Sequence, residues 1–322
     1  MQRRSFLVGS AAGVVALVGW RRTGWAQGGG QGTPASVSPD KLARVSLMTL
    51  NFSSILKLPG QEATPERTLD LFDLPQMYVD IYGVHNIEFQ HSHLVQAEND
   101  PAFVKEIKSR VDRVKSQITQ INMEFGQQNI SATDPALRQQ AIDHTKQWIE
   151  IALALGCPRV MLNQGPLNQD TKAHAVATWR AMQDYGNTKN VKVSAEPRGG
   201  RGGGRGAAGT AGAPGAGAAT VPSPAAPPAW MLLKEVIEAA GAYANIDIGN
   251  AGALTQDALH ECIKALSPTS SGNMHVKSSP YWDIGTAIRY TNGTLGYKGL
   301  YSIEVNTHPA VRVVYNTILA NL

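Results

Sequence analysis

The sequence predicts a single-domain α/β fold, a closed (β/α)8 barrel, and three features carry that expectation. The chain has 322 residues; setting aside a leader over 1–26 and a Gly/Ala/Pro tract over 199–229 leaves 265. That is close to the roughly 250 at which one eight-fold barrel is complete. Short β-branched or apolar runs alternate along the chain with longer stretches of helical period. The runs number eight, and strands that alternate with helices pair in parallel, so eight such units close on themselves.

In order, the expected strands are 45–51, 86–91, 118–124, 159–164, 191–196, 243–248, 274–277 and 301–306. Each is four to seven residues of mostly Val, Ile, Leu, Met or Tyr with polar residues interleaved. The clearest helix between them is 135–155, where Ile142, Trp148, Ile149, Ala152 and Leu155 share one face. Asp134 caps it, Pro135 opens its first turn and Gly156 ends it. The barrel is thus expected over 42–322, preceded by a linker over 27–41 and interrupted by the tract 199–229.

The leader reads Arg3-Arg4-Ser5-Phe6-Leu7, then an apolar run to Trp20, then Gly24-Trp25-Ala26. An arginine pair, a modest apolar stretch and a small residue at the end resemble a twin-arginine export signal. The expected partner is the twin-arginine export machinery and the expected location periplasmic or otherwise exported. The apolar stretch, about 15 residues, is shorter than the ~20 that span a bilayer; the alternative is an uncleaved membrane anchor.

The formal charge of +4 belongs to that leader. Arg3, Arg4, Arg21 and Arg22 all lie in it and no acid does, so the remainder carries 25 basic against 25 acidic residues. A phosphate-tracking surface, and with it a nucleic-acid partner, is not expected. Twenty-five of the 31 residues of 199–229 are Gly, Ala or Pro, a composition that buries no core and is expected to be disordered. Its Arg-Gly-Gly run resembles an RNA-binding segment, but too few arginines accompany it. The two cysteines, Cys157 and Cys262, lie in a strand start and a helix two units later, and are expected as buried thiols rather than a disulfide.

In a barrel of this kind the active site lies at the carboxyl ends of the strands. Four consecutive expected strands, the fifth to the eighth, end on or near Glu196, Asp247, His275 and Glu304. An ionisable group in an apolar strand is costly unless paired or metal-bound. Three carboxylates and an imidazole suit one divalent ion with positions left for substrate oxygens, Mn²⁺, Mg²⁺, Co²⁺ or Zn²⁺. Around these four, His91 and His93 after strand two, Asn163 at the end of strand four, Asn250 after Asp247, and Lys277 two residues past His275 are candidate substrate-binding groups. Asn51 at the end of strand one is a weaker one.

These residues resemble the xylose isomerase-like TIM barrel superfamily of sugar phosphate isomerases and epimerases. The resemblance runs over roughly 42–320. Besides the four strand ends, Tyr82-Gly83-Val84-His85-Asn86-Ile87-Glu88 is similar to the family's second strand, and Ile149 to Val160 to its passage into strand four. In ketose epimerases of the family a Glu, Asp, His, Glu set binds one divalent ion, and the resemblance carries that set onto Glu196, Asp247, His275 and Glu304. It implies that Glu196 and Glu304 are also the catalytic acid/base pair. An ion chelating a carbonyl and its neighbouring hydroxyl lowers the pKa of the adjacent C–H, and the enediolate formed can be reprotonated from the other face. The family's sixth strand often ends Asp-x-x-His; here Asn250 stands in the histidine's place, which argues against a multi-zinc nuclease.

The expected function is therefore a metal-dependent isomerase or epimerase acting through an enediolate on a keto-sugar. A lyase of 3-keto-glycosides would use the same residues and add a leaving-group acid, His91, His93 or Lys277. A sugar-binding barrel without catalysis is the third alternative. Family members often dimerise, so a homo-oligomer stays open.

Overall fold

The computed structural model describes residues 37–124, 130–197, 228–249 and 255–322. The leader over 1–26, most of the tract 199–229, and Asn250 lie outside the described residues. Among the described residues no helix is long and apolar enough to cross a membrane.

Eight parallel strands close into a barrel. They are β1 (Val45–Met48), β2 (Asn86–Gln90), β3 (Gln117–Met123), β4 (Arg159–Asn163), β5 (Lys192–Glu196), β6 (Tyr243–Asp247), β7 (Ser270–Val276) and β8 (Leu300–Ile303). Each pairs with its neighbours in sequence, and β8 closes the ring against β1 through Val45 opposite Tyr301. All eight expected strands are present. The last is shorter than expected and stops one residue before Glu304, whose N–H still reaches across the ladder to Val276 O at 3.0 Å. The chain before β1 turns through a short helix, Pro39–Leu42, with Lys41 Nζ donating to Leu319 O at 2.8 Å.

The helices surround the strands, α1 (Leu74–Tyr82), α2 (Pro101–Arg113), α3 (Pro135–Leu155), α4 (Lys172–Lys189), α5 (Ala229–Ala240), α6 (Gln256–Leu266), α7 (Ile284–Arg289) and α8 (His308–Asn321). α3 shows why the sequence folds this way. The Asp134 carboxylate accepts the Ala136 N–H at 2.8 Å, and Gly156 takes φ 71°, which only glycine adopts cheaply. Ala141, Thr145, Trp148, Ile149, Ala152 and Leu155 fall on the buried face between. Cys157 and Cys262 are buried free thiols, as expected.

Strand pleating separates two interiors. Within each strand one alternate set, including Ile87, Phe89, Val193, Ile246, Met274 and Ile303, packs in the apolar core beneath the helices. The other set lines the lumen, where Glu88, Asn245, Asp247, Asn273, His275 and Ser302 are all 0 % exposed. A polar lumen is expensive unless its groups satisfy one another, so it directs attention to what they hold.

Candidate metal centre

The barrel brings Glu196, Asp247, His275 and Glu304 together: one donor atom from each lies within 4.8 Å of all the others. The ladder sets this up. Asp247 and His275 are direct partners across β6 and β7, while Glu196 closes β5 and pairs with Asn163 on β4. His275 is the hub. Its Nδ1 faces Glu196 Oε1 at 2.9 Å and Glu304 Oε2 at 2.8 Å, and its Nε2–H donates to Glu88 Oε1 at 2.8 Å. Asp247 Oδ1 accepts the Gly249 N–H at 2.7 Å, which turns Oδ2 toward the cluster.

Lys277 completes the arrangement, with Nζ 2.7 Å from Asp247 Oδ2 and 3.0 Å from Glu304 Oε2. It does lie on the face of His275, as period-two spacing predicts, and there it is ion-paired to two of the four expected ligands.

Burial and charge oppose each other here. Burial, with Glu196 and Glu304 beside it, raises the Asp247 carboxyl to about 7 against the pull of Lys277. Burial also acts to raise Glu304, but Lys277 and His275 outweigh it and hold that carboxyl well below the ordinary range. For His275, burial is outweighed by Glu88 and Glu304, which favour the doubly protonated ring. These groups fit a divalent ion. Three carboxylates and an imidazole converge, and the buried oxygens Asp247 Oδ2 and Glu304 Oε2 have the ammonium nearby but receive no well-directed hydrogen bond. The cluster is one that can bind a metal ion.

Glu88 was not among the expected site residues, although it belongs to the strand-two motif. It is 0 % exposed, and three donors converge on it: His275 Nε2 and Gln120 Nε2 on Oε1, and Asn273 Nδ2 on Oε2 at 3.1 Å. Asn245 Oδ1 accepts from both Gln120 and Asn273. This network fixes the imidazole with Nδ1 toward Glu196 and Glu304. The signal in the sequence is a lone acid within Asn86–Gln90, but it sits mid-strand rather than at the carboxyl end.

Asn51 also acts from outside the cluster. It is fully buried, its Nδ2 donates to Ile303 O at 2.8 Å and its Oδ1 accepts the Val305 N–H at 2.7 Å, so it clamps the residues on either side of Glu304. Asn51→Ala is expected to cost about 2–4 kcal/mol, because two buried backbone groups lose their partners, and to weaken metal binding by displacing Glu304. Urea unfolding and a metal titration check the two effects separately; unchanged metal affinity would confine Asn51 to stability.

The remaining candidates lie around this centre. Asn163 Nδ2 is 3.4 Å from Glu124 Oε1, and its buried Oδ1 has no hydrogen-bond partner. His91 and His93 form a 3-10 turn directly after β2. His91 stacks edge-on against Trp148 at 5.6 Å and its Nδ1 accepts the Glu124 N–H at 2.9 Å. His93 is held at both nitrogens. The Ser53 Oγ proton goes to Leu50 O, so His93 Nε2–H donates to Ser53 Oγ at 3.1 Å; in the neutral ring Nδ1 then accepts from Thr49 Oγ1 at 2.9 Å, while Thr49 Oγ1 also accepts the Gln90 N–H. The turn thus uses both ring nitrogens that were expected to meet a sugar hydroxyl.

Burial lowers His91 to about 4, helped by His144, and His93 to about 3. Both folded values lie below the unfolded value of about 6.5. Above that pH the rings are neutral in both states and nothing is lost; below it the unfolded chain takes up protons that the folded chain refuses. Stability is therefore expected to fall as pH drops from 6.5 toward 4, by roughly 4 kcal/mol at pH 5 from the two rings together. Urea unfolding at pH 7 and pH 5 checks this, with His93→Asn predicted to remove about half of the drop.

Several solved structures share the fold at low identity. A D-psicose 3-epimerase with D-tagatose from Clostridium cellulolyticum H10 is 10% identical with a TM-score of 0.60, the match covering 86% of this chain and 95% of that one. A 3-keto-D-glucoside 4-epimerase from E. coli is 10% identical with a TM-score of 0.59, covering 87% and 100%. A probable 3-DHS dehydratase from Bacillus anthracis is 13% identical with a TM-score of 0.55, covering 85% and 97%. No curated protein matches the chain by sequence. The family model described as xylose isomerase-like TIM barrel matches residues 79–281, which include Glu88, Glu196, Asp247 and His275. Closed barrel and family match agree, and the chain belongs to the xylose isomerase-like TIM barrel family.

Proposed function

We propose that the chain is a metal-dependent sugar isomerase or epimerase, with a keto-sugar or related carbohydrate as substrate. One observation carries this: four donors from four consecutive strands converge within 4.8 Å at the carboxyl end of the barrel. Glu196, Asp247, His275 and Glu304 would hold one divalent ion, Mn²⁺, Mg²⁺, Co²⁺ or Zn²⁺. Bound there, the ion would polarise a carbonyl and the adjacent hydroxyl and so acidify the neighbouring C–H.

The protein's own groups do the rest. Glu196 comes from β5 and Glu304 from the end of β8, three strands apart on the ring, so they approach a substrate from different sides. One takes the proton from the carbon beside the carbonyl and the other returns a proton to the opposite face; configuration inverts and no electrons are gained or lost. Glu304 side chain is 15 % exposed against 4 % for Glu196 and 0 % for Asp247, which makes it the carboxylate nearest solvent. The epimerase folds described above support this reading. A leader of twin-arginine type would place the enzyme outside the cytoplasm, where free sugars and glycosides, rather than sugar phosphates, are the substrates to hand.

A lyase reading has one observation in its favour. The Lys277 ammonium lies 3.0 Å from Glu304 and could protonate an oxygen expelled β to the carbonyl. The test is metal analysis of the purified protein beside His275→Ala, followed by deuterium uptake from D₂O into a panel of keto-sugars and 3-keto-glycosides. About one ion per chain, lost in the variant, with exchange at one carbon and an isomeric product, is the expected result. An unsaturated product would favour the lyase, and no bound metal after reloading would leave a sugar-binding barrel.

A further inference from the structure

Lys277 is built into the cluster rather than resting on it. Its stem crosses the end of β6 so closely that a Cβ at position 249 would lie 1.8 Å from Lys277 Cγ and 2.9 Å from Cε. Any residue but glycine would displace the side chain. Gly249 is therefore the cradle that lets the ammonium reach Asp247 Oδ2 and Glu304 Oε2. Both contacted oxygens belong to expected ligands, and both lack a well-directed hydrogen bond. The side chain is 24 % exposed, more than Glu304 or Asp247, so part of its length borders solvent.

Charge explains why such a cation is needed. Glu88, Glu196, Asp247 and Glu304 place four carboxyl groups around His275, and Lys277 is the one other positive group paired to them among the described residues. A buried carboxylate without a compensating cation is strongly destabilising. Yet the same oxygens are those a divalent ion would need, and an ammonium and a dication sharing them would repel at close range.

We propose that Lys277 is the resident counter-cation of this centre, stabilising the ligand carboxylates by occupying their outer oxygens and yielding them when a divalent ion binds. This rests on the metal-dependent reading above. The consequence is a centre that keeps its fold without metal, at the cost of affinity for the ion. On release the flexible four-carbon stem lets the ammonium swing toward the solvent side.

The decisive experiment titrates chelator-treated wild type and Lys277→Met with Mn²⁺ by calorimetry, with melting temperatures recorded in chelator and in Mn²⁺. The expected result is at least a tenfold lower Kd for Lys277→Met, together with a melting temperature below wild type in chelator that recovers in Mn²⁺. An equal or higher Kd in the variant overturns the proposal. Wild type that takes up no Mn²⁺ by this titration would instead overturn the metal reading itself, a distinct outcome. Should the variant not fold, wild type alone decides. Acetylation of Lys277, read by peptide mass spectrometry, is expected to quicken severalfold when Mn²⁺ is added, and an unchanged or slower rate overturns the displacement.

Discussion

Glu196→Gln and Glu304→Gln are each expected to lower turnover by about 10²–10⁴-fold or more, the range that loss of a general acid or base produces, while the fold stays intact. The amide keeps the shape and volume of the carboxylic acid, so no cavity opens. It also removes one negative charge from a place where, among the described residues, four carboxyl groups face two cations, His275 and Lys277. Stability should therefore hold or rise slightly. What is lost is chemical: an amide cannot take a proton from carbon, and its oxygen is a poorer ligand for a hard cation. The two variants should differ in detail. Glu304 is ion-paired to both Lys277 and His275, so its replacement also frees Lys277 from one partner, and its metal affinity should change more than that of Glu196→Gln. Turnover on the substrate identified by deuterium exchange, beside a thermal melt, checks both; near-normal rates in either variant would remove that residue from the acid/base pair.

The sequence was most legible where one physical rule acted alone. Eight runs of strand character alternating with helices yield the barrel, because parallel strands with helical crossovers have few other ways to close. An acid or imidazole at the end of an apolar strand is expensive, so Glu196, Asp247, His275 and Glu304 stood out, and register then brings Asp247 and His275 side by side. Contacts that depend on the path of a side chain were not legible. Spacing put Lys277 on the right face, but only the Gly249 crossing shows that its ammonium ends on Asp247 and Glu304. His93 sits at a strand end like a pocket residue, yet the hydroxyls of Thr49 and Ser53, 44 and 40 residues away in sequence, close both of its nitrogens. Asn51 was placed near the site without its task, because the clamp on Ile303 and Val305 exists only once β8 lies beside β1.

Glu88 is the residue whose replacement should separate geometry from charge at this centre. Its two oxygens accept from His275, Gln120 and Asn273, so every recorded partner is a donor. Glu88→Ala leaves three buried donors facing a void and is expected to cost about 3–5 kcal/mol, as when one member of a buried ion pair is removed. Glu88→Gln keeps the volume but turns an NH₂ group toward at least one of those donors. It also removes the charge that holds the His275 Nε2–H and makes Nδ1 the more basic donor to metal. Loss of such a carboxylate behind a metal-binding histidine typically weakens metal affinity 10–100-fold, and that is the expected shift for Glu88→Gln. A purely structural role would lower stability in proportion and leave the affinity of the folded protein unchanged. Adding Asn273→Asp supplies an acceptor opposite the new NH₂ and returns a carboxylate to the network from across the lumen. The double variant should then recover only part of the lost affinity, because its carboxylate restores the charge but meets the Asn245 oxygen where Asn273 donated a proton. Metal titration of wild type, Glu88→Gln and the double variant at one pH, beside urea unfolding of each in chelator, reads affinity and stability independently, and an affinity that simply tracks stability would make Glu88 a packing residue of the lumen.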